Sequence, residues 1–395
     1  MKKPAIWIIF LTIFIDILGF GLVIPILPNF VCQTLGFPEI VSGLMMGIFS
    51  LMQFLFSTFW GTISDKYGRK PILLASSFIT AVSYLLFAFT NNLWMLIVSR
   101  VLAGFGSANI AAATAYIADI SKPEDRTKSM GKLGAAFGMG FIFGPPLGGF
   151  LTHKFNSIFP VGIVAMAICL VNFLLIYFIL PESIKEKGKS SRPGFIKSNI
   201  DAIKELKKPF VGTILIFYFL FIAAFSMMQV SSILLWENEY GVSKKGVGWI
   251  FAFIGLVSSL VQGGLLGKIT NRFSDKTLLY TGWILMAIGL GSLPFLPKTF
   301  FWFFALTTCA MIAFANACIS PVFMSIISKK TDPLNNGKIM GILQSYGALA
   351  RIVGPVIGGG LYQIIYQLPL ATGSAIMILS VFGLKNIFKP VKNNI

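Results

Sequence analysis

The chain has 395 residues, 56% of them hydrophobic and 12% charged, with a formal net charge of +18. Soluble domains carry about 25% charged residues, so this composition excludes an ordinary water-soluble enzyme and points to lipid as the solvent. The basic excess lies between apolar runs and not in one patch, which argues against nucleic acid and for a membrane-topology signal.

In chain order, the first apolar run, 5–29, follows Met1-Lys2-Lys3-Pro4. It is too long for a signal peptide and lacks a small-x-small cleavage pattern, so it is expected to stay as a first span. A helical span takes about 20 residues. Further runs of that size are 42–60, 71–89, 92–118, 130–152, 159–180, 211–236, 247–266, 278–296, 299–325, 338–363 and 368–386. The runs are too long for barrel strands and lack period-two alternation. The expected fold is an all-α membrane protein of 12 transmembrane helices.

Lysine and arginine set the orientation. They fall before the first run, after every second run, and at the C-terminus, whereas the opposite side holds only Lys154, Lys244, Lys245 and Lys298. Both termini are therefore expected in the cytoplasm, with the chain integral to the cytoplasmic (inner) membrane. Residues 185–210 form a polar cytoplasmic linker between bundles at 1–184 and 211–395. Within the linker, Phe195, Ile196, Ile200, Ile203 and Leu206 recur at helical spacing among lysines. That pattern fits an interfacial helix, with a solvated connector as the alternative.

The halves repeat. Gly61-Thr-Ile-Ser-Asp65-Lys66-Tyr-Gly68-Arg69-Lys70 is echoed by Gly267-Lys-Ile-Thr-Asn271-Arg272. Gly144-Pro145-Pro-Leu-Gly148-Gly149 is echoed by Gly354-Pro355-Val-Ile-Gly358-Gly359, and Asn109 by Asn316, all at similar offsets. Two pseudo-symmetric six-helix bundles are suited to alternating access around a central site.

Three charges fall near mid-membrane: Asp16, Arg100 and Arg351. A lipid-facing charge there costs at least about 2.5–3.5 kcal/mol, so each is expected to face protein or a wet crevice. Asp16 reads as a proton-titrating or cation-binding carboxylate, or as a static partner for arginine. Burial and an adjacent guanidinium move a carboxylate's proton affinity in opposite directions. Motion that changed the distance between Asp16 and Arg100 would therefore switch that affinity. The uncharged polar groups Gln53, Gln229, Asn316 and Gln344 either bond between helices or line a substrate cavity. Tyr218, Phe221, Phe225 and Arg351 are candidates for the same cavity, whose soft apolar wall would suit an amphiphile.

Gly140, Gly144, Pro145, Gly148 and Gly149, with Gly354 and Pro355, permit close packing or bending of their spans. Gly61, Asp65, Gly68 and Arg69 form a compact loop whose acidic partner is expected to be Asp119, a salt-bridged conformational latch. Cys32, Cys169, Cys309 and Cys318 lack C-x-x-C spacing, and His153 is the only histidine, so no disulfide framework, metal site or other cofactor is expected.

These motifs resemble the major facilitator superfamily, specifically its twelve-span drug:proton antiporters related to tetracycline efflux proteins. Gly61-x-x-x-Asp65-x-x-Gly68-Arg69-Lys70 resembles the signature loop after the family's second span. Leu96-x-x-x-Arg100-x-x-x-Gly104-x-Gly106 resembles the span-four motif linked there to proton transfer. Gly140-x-x-x-Gly144-Pro145-x-x-Gly148-Gly149 resembles the antiporter motif of span five, and Ile15-Asp16-x-x-Gly19-x-Gly21-x-x-x-Pro25 the acidic motif of span one. The resemblance implies a monomeric, non-enzymatic exporter of lipophilic or amphiphilic small molecules, drugs among them. It would use the transmembrane proton gradient as its energy source, with Asp16 and Arg100 coupling the proton. Tetracycline pumps carry further acids in spans three and nine, and runs 71–89 and 278–296 hold none. The sequence leaves two alternatives: a secondary transporter or facilitator of a lipid, sugar or other metabolite, and a non-transporting membrane receptor or scaffold. No nucleotide-binding loop or catalytic triad is evident.

Overall fold

The computed structural model describes residues 2–120, 126–183, 209–330 and 336–388, and within them the chain is helical almost throughout. Of the expected linker, 185–210, residues 185–208, with the interfacial helix, lie outside the described residues, and Pro209 and Phe210 are helical. The principal helices are α1 (Lys2–Val23), α2 (Glu39–Tyr67), α3 (Arg69–Ala88), α4 (Leu93–Gly106), α5 (Ile110–Ile120), α6 (Arg126–Phe155) and α7 (Phe159–Ile179). They continue as α8 (Pro209–Asn238), α9 (Lys244–Leu260), α10 (Leu266–Arg272), α11 (Asp275–Ser292), α12 (Phe301–Lys330), α13 (Asn336–Ile364) and α14 (Leu368–Val381).

Among the described residues, 8 helices are long and apolar enough to cross a membrane. The other expected spans coincide with helices of a different character. Expected span 130–152 lies in α6, interrupted by Pro145 and Pro146. Expected span 247–266 is divided by a π turn at Val261–Leu265, 338–363 carries Arg351 and a run of glycines within α13, and 368–386 shrinks to the 14 residues of α14.

Two further spans expected to be continuous are also broken, each for a local reason. The first ends at Val23 and resumes as Leu27–Asn29 and a π turn at Phe30–Thr34, because Pro25 and Pro28 cannot donate a backbone hydrogen bond. The fourth passes through a 3₁₀ turn at Ser107–Asn109 between α4 and α5, next to Gly104 and Gly106. That turn leaves carbonyls free. Trp60 Nε1 donates to the Phe105 carbonyl at 2.7 Å and Gln53 Nε2 to the Ser107 carbonyl at 3.1 Å, tying α2 to this break.

The chain divides into two compact units. One comprises Met1–Phe37, Met45–Lys197 and Val242–Ala252; the other comprises Pro38–Leu44, Ser198–Gly241 and Phe253–Ile395. Each unit therefore includes a short stretch from the sequence half of the other. Inside the first unit α1 packs on α6 and α7, and α3 on α4 and α7. Inside the second, α8 packs on α13 and α14, and α11 on α12 and α14. The pairings within the two units match helix for helix.

The seams are built on glycine. A Cβ on Gly140 would meet the Ile17 side chain at 2.7 Å, and one on Gly144 the Leu18 carbonyl at 2.8 Å; Gly148 lies equally close to Leu22. In the second unit a Cβ on Gly354 would meet the Ala223 carbonyl at 2.5 Å, and one on Gly358 the Met227 side chain at 2.8 Å. In lipid, where apolar burial between helices gains little, such close backbone approach is a main source of helix association.

Polarity runs inside out relative to a soluble protein. Thr12, Asp16, Ser76, Ser77, Thr80, Ser83, Arg100, Asn109 and Asn172 are buried, while Trp94, Phe178, Phe303 and Phe382 are among the large side chains exposed on the outside. Some of these buried groups satisfy one another. Thr12 donates to Asn172 Oδ1 at 3.1 Å, Asn172 Nδ2 donates to Ser77 at 3.1 Å, and Ser77 donates to the Cys169 carbonyl at 3.1 Å, linking α1, α7 and α3.

Gly148→Ala forces a methyl into the Leu22 backbone, an overpacking cost of about 1–3 kcal/mol. Nothing lies within 4 Å of a Cβ on Gly267, so Gly267→Ala is expected to be neutral or stabilising. Thermal melting of detergent-purified protein should show a midpoint several degrees lower for the first substitution and no loss for the second; equal melting of both would contradict this account of the seam.

Candidate functional site

Three polar constellations stand out. The first lies in the interior of the first unit. Asp16, Arg100 and Tyr84 are 3%, 2% and 1% exposed. Of the two settings expected for these charges, protein or a wet crevice, the structure shows the first. The side chain of Asn109 hydrogen-bonds Asp16, and its Nδ2 also donates to Ser76 Oγ at 2.8 Å. One Asp16 oxygen, Oδ2, has no partner, and neither do Arg100 Nη2, Asn109 Oδ1 or the Tyr84 hydroxyl.

Asp16 and Arg100 do not form an ion pair. The Arg100 guanidinium stacks on the Phe87 ring at 4.9 Å, and its Nε makes a long contact of 3.5 Å to Ser99 Oγ. Tyr84 interacts electrostatically with both charged groups, and its hydroxyl end occupies the notch at Gly19, where a Cβ would meet the ring carbon Cζ at 2.8 Å. Tyr84 is absent from the sequence-derived set. Its signal was present, since Ser76, Thr80 and Tyr84 recur every fourth residue and so line one face of α3.

The second constellation is at the α2–α3 junction. Gly68 has φ +111°, a backbone conformation that side chains rarely adopt, and the Glu182 carboxylate occupies the space where its Cβ would project. Glu182 Oε1 accepts from the backbone N–H of Arg69 at 2.9 Å and Oε2 from that of Lys70 at 3.2 Å. A carboxylate from the end of α7 thus caps α3, meeting orphan donors at the positive end of the helix dipole. Arg69 Nε donates to Asp119 Oδ2 at 3.2 Å and Nη1 to Ser64 Oγ at 2.5 Å. Ser64 donates to the Gly61 carbonyl at 2.7 Å, and Ser183 Oγ to Asp119 at 2.9 Å. The Asp65 side chain lies outside the described residues. Glu182 also escaped the sequence reading, because a cap contributed more than 100 residues later in the chain leaves no local spacing.

The third constellation is in the second unit. Arg351 sits at the middle of α13 and is half-buried. It shares a helix face with Gly347, Gly354 and Gly358, all packed on α8. A Cβ on Gly347 would lie 3.5 Å from the Tyr218 hydroxyl and 3.6 Å from Arg351 Nη1, so these two polar ends flank the same glycine gap. Tyr218 is held edge-on by Phe323 at 5.6 Å, and Phe323 by Trp283 at 5.9 Å. Phe221, expected to line a cavity, is fully buried against Trp283 at 6.0 Å and faces no open space. Aromatic packing in α8 was legible as composition, but which rings turn inward was not. Phe225, Gln229 and Asn316 are half-buried; the Gln344 side chain lies outside the described residues.

Gly149 and Gly359 complete the pattern of close approaches. A Cβ on Gly149 would press on the Lys244 carbonyl at 2.5 Å within the first unit, and one on Gly359 on the Glu39 carbonyl within the second. Pro145 and Pro355 present their carbonyls to Gly248 and Gly43 respectively. A surface cavity of about 490 Å³ runs between α11 and α14, lined by Ile284, Ile288, Ile378, Phe382 and Ser374. It holds none of the expected site residues. Among the described residues, no group of three or more His, Cys, Asp or Glu side chains could hold a metal.

Comparison with known proteins gives the following. The profile of the Major Facilitator Superfamily matches residues 9–355 and 217–392. The tetracycline resistance protein, class D, of Salmonella ordonez is 30% identical over 363 residues, covering 90% of this chain and 89% of its own. Multidrug resistance protein 2 of Bacillus subtilis is 30% identical over 402 residues, covering 100% and 97%. The crystal structure of the human organic anion transporter MFSD10 aligns with a TM-score of 0.71 at 24% identity, over 96% of this chain and 99% of that one.

Removing the Glu182 carboxylate exposes the first turn of α3. Glu182→Ala is expected to cost about 1 kcal/mol through the lost cap and to lower the thermal midpoint, with Glu182→Asp restoring part of the loss. Unchanged melting in both variants would mean that the cap carries no stability.

Proposed function

Because this chain belongs to the major facilitator superfamily, a class of membrane transporters and not of enzymes, we propose that it is a proton-coupled exporter of lipophilic or amphiphilic small molecules. In this reading twelve spans cross the cytoplasmic membrane with both termini inside, and a monomer works by alternating access between its two repeats. The observation that carries it is the interior of the first unit: a buried carboxylate with one unpartnered oxygen, Asp16, and a buried guanidinium that does not pair with it, Arg100, both interacting with Tyr84. Structural pairing would have joined them. Two separate charges within reach of one phenol, Tyr84, form a set whose geometry can change. A proton on Asp16 neutralises the group in the closed arrangement, and its loss follows when the site meets water on the other side.

The names of two relatives, tetracycline resistance and multidrug resistance, support drug-like compounds as the cargo. Tetracycline itself is not the expected substrate, because α3 carries no acid and α11 none beyond its first residue, Asp275, whereas the tetracycline pumps hold further acids in the corresponding spans. The Arg69–Asp119 pair with the Ser64, Ser183 and Glu182 contacts acts as the latch. It ties the ends of α2, α3, α5 and α7 in one state and releases them in the other. In the first unit Gln53, braced on the Ser107 carbonyl, and in the second unit Phe225, Gln229 and Asn316 are the candidates for substrate contact.

The test uses inverted membrane vesicles acidified inside and a panel of fluorescent lipophilic dyes. Dye addition to vesicles with the unaltered protein is expected to release protons, and Asp16→Asn to abolish that release while the protein remains folded in the membrane. Undiminished dye-driven proton release by the Asn variant would remove Asp16 from the mechanism, and dye movement without any proton release would favour an uncoupled metabolite facilitator.

A further inference from the structure

The second unit holds a charge that nothing in its own interior neutralises. Arg351 lies at the centre of the 29-residue α13, roughly 20 Å from either end at 1.5 Å per residue. The acids of this unit among the described residues are Glu39, Glu237, Glu239 and Asp275. Glu39 is the first residue of α2, Glu237 and Glu239 stand at the far end of α8, and Asp275 is the first residue of α11. None of these is at the level of Arg351. The side chain does not turn to lipid: Leu349 and Ile357 are the exposed residues of this stretch, and Arg351 follows Gly347 and precedes Gly354 on the face packed against α8.

The phenol of Tyr218 flanks the same gap. It is 3% exposed and fixed by the Phe323 ring, so its hydroxyl is placed by the fold and does not swing freely. A guanidinium and a phenolic hydroxyl together offer donors in several directions, a set matched to a carboxylate or another small monoanion. A cationic amphiphile, by contrast, would meet repulsion with no described acid at the level of Arg351 to offset it.

We propose that Arg351 and Tyr218 form the anion-recognising end of the substrate site, so that the transported amphiphile carries a single negative charge. This deepens the exporter reading and rests on it for the word transported; binding at Arg351 can be measured without any flux. The ligand class is an apolar, ring-bearing or alkyl body with one carboxylate or equivalent monoanionic group. The half-buried Phe225, Gln229 and Asn316 of the same unit would take the body.

The test uses three probes built on one naphthyl-alkyl body, ending in a carboxylate, a neutral carboxamide or a trimethylammonium. Binding to detergent-purified protein is followed by quenching of intrinsic tryptophan fluorescence, and transport by uptake into inverted vesicles. The unaltered protein is expected to bind the carboxylate at least about tenfold more tightly than the trimethylammonium probe. Arg351→Gln should erase that preference while retaining the carboxamide, Arg351→Lys should keep part of it, and Tyr218→Phe should weaken the carboxylate alone. Equal or inverted preference in the unaltered protein, or no binding of any probe, would overturn the proposal. So would an Arg351→Gln variant that loses all three probes equally, or that melts as unfolded while Arg351→Lys retains no preference; those results assign Arg351 to packing. Selective binding without uptake would keep the anion site and remove the exporter reading.

Discussion

An ionised group inside the hydrocarbon layer has no water to solvate it, and this constraint organises the whole molecule. Insertion of such a group costs at least about 2.5–3.5 kcal/mol where it faces lipid. The chain carries Asp16, Arg100 and Arg351 within its apolar helices and turns all three inward. Around Asp16 and Arg100 the protein substitutes an amide, a phenol, hydroxyls and an aromatic face for solvent. That substitution is incomplete, because Asp16 Oδ2, Arg100 Nη2 and the Tyr84 hydroxyl are left over. Incompletely satisfied buried polar groups are expensive. A fold that retains several together uses them for something other than stability.

Bringing helices close enough to enclose such groups requires seams without side chains. Gly140, Gly144 and Gly148 on α6 accept the backbone of α1, and Gly354 and Gly358 on α13 accept that of α8. The repeat thus preserves the packing solution in both units, while the charged contents have diverged. In the junction after α2 the first unit builds a full network from Arg69, Asp119, Ser64 and Glu182. The corresponding stretch in the second unit has Asn271 where Asp65 stands and ends in Phe273, with the small helix α10 lacking buried residues altogether. A repeated frame with unrepeated chemistry is what divided labour between the units requires.

Much of this was legible in the sequence. Apolar run lengths gave the helices, because a hydrocarbon layer fixes a length scale and forbids unpaired backbone. The recurrence of Gly-Pro-x-x-Gly-Gly gave the paired seams, because only glycine permits that approach. Less legible was whatever depends on the angle between helices. Pro25 was visible, yet the first span was expected to run through it. The Asp16–Arg100 relation depended on rotation of α4 relative to α1, and the guanidinium turned to Phe87. Tyr84 appears as an ordinary aromatic residue until Gly19 is seen to make room for it. Glu182 became a cap only when the end of α7 returned to the start of α3.

The distribution of sign carries the argument furthest. The first unit holds an acid and a base that do not meet; the second holds a base and no acid at its level. If both interiors served one task, the repeat would have kept the same charges, since packing evidently kept the same glycines. A carboxylate exchanges a proton at physiological cost, whereas a guanidinium stays charged and selects by geometry. Under the proposed function, proton handling would fall to the first unit and ligand recognition to the second. The carboxylate of an anionic ligand would supply the counter-charge that the second unit omits.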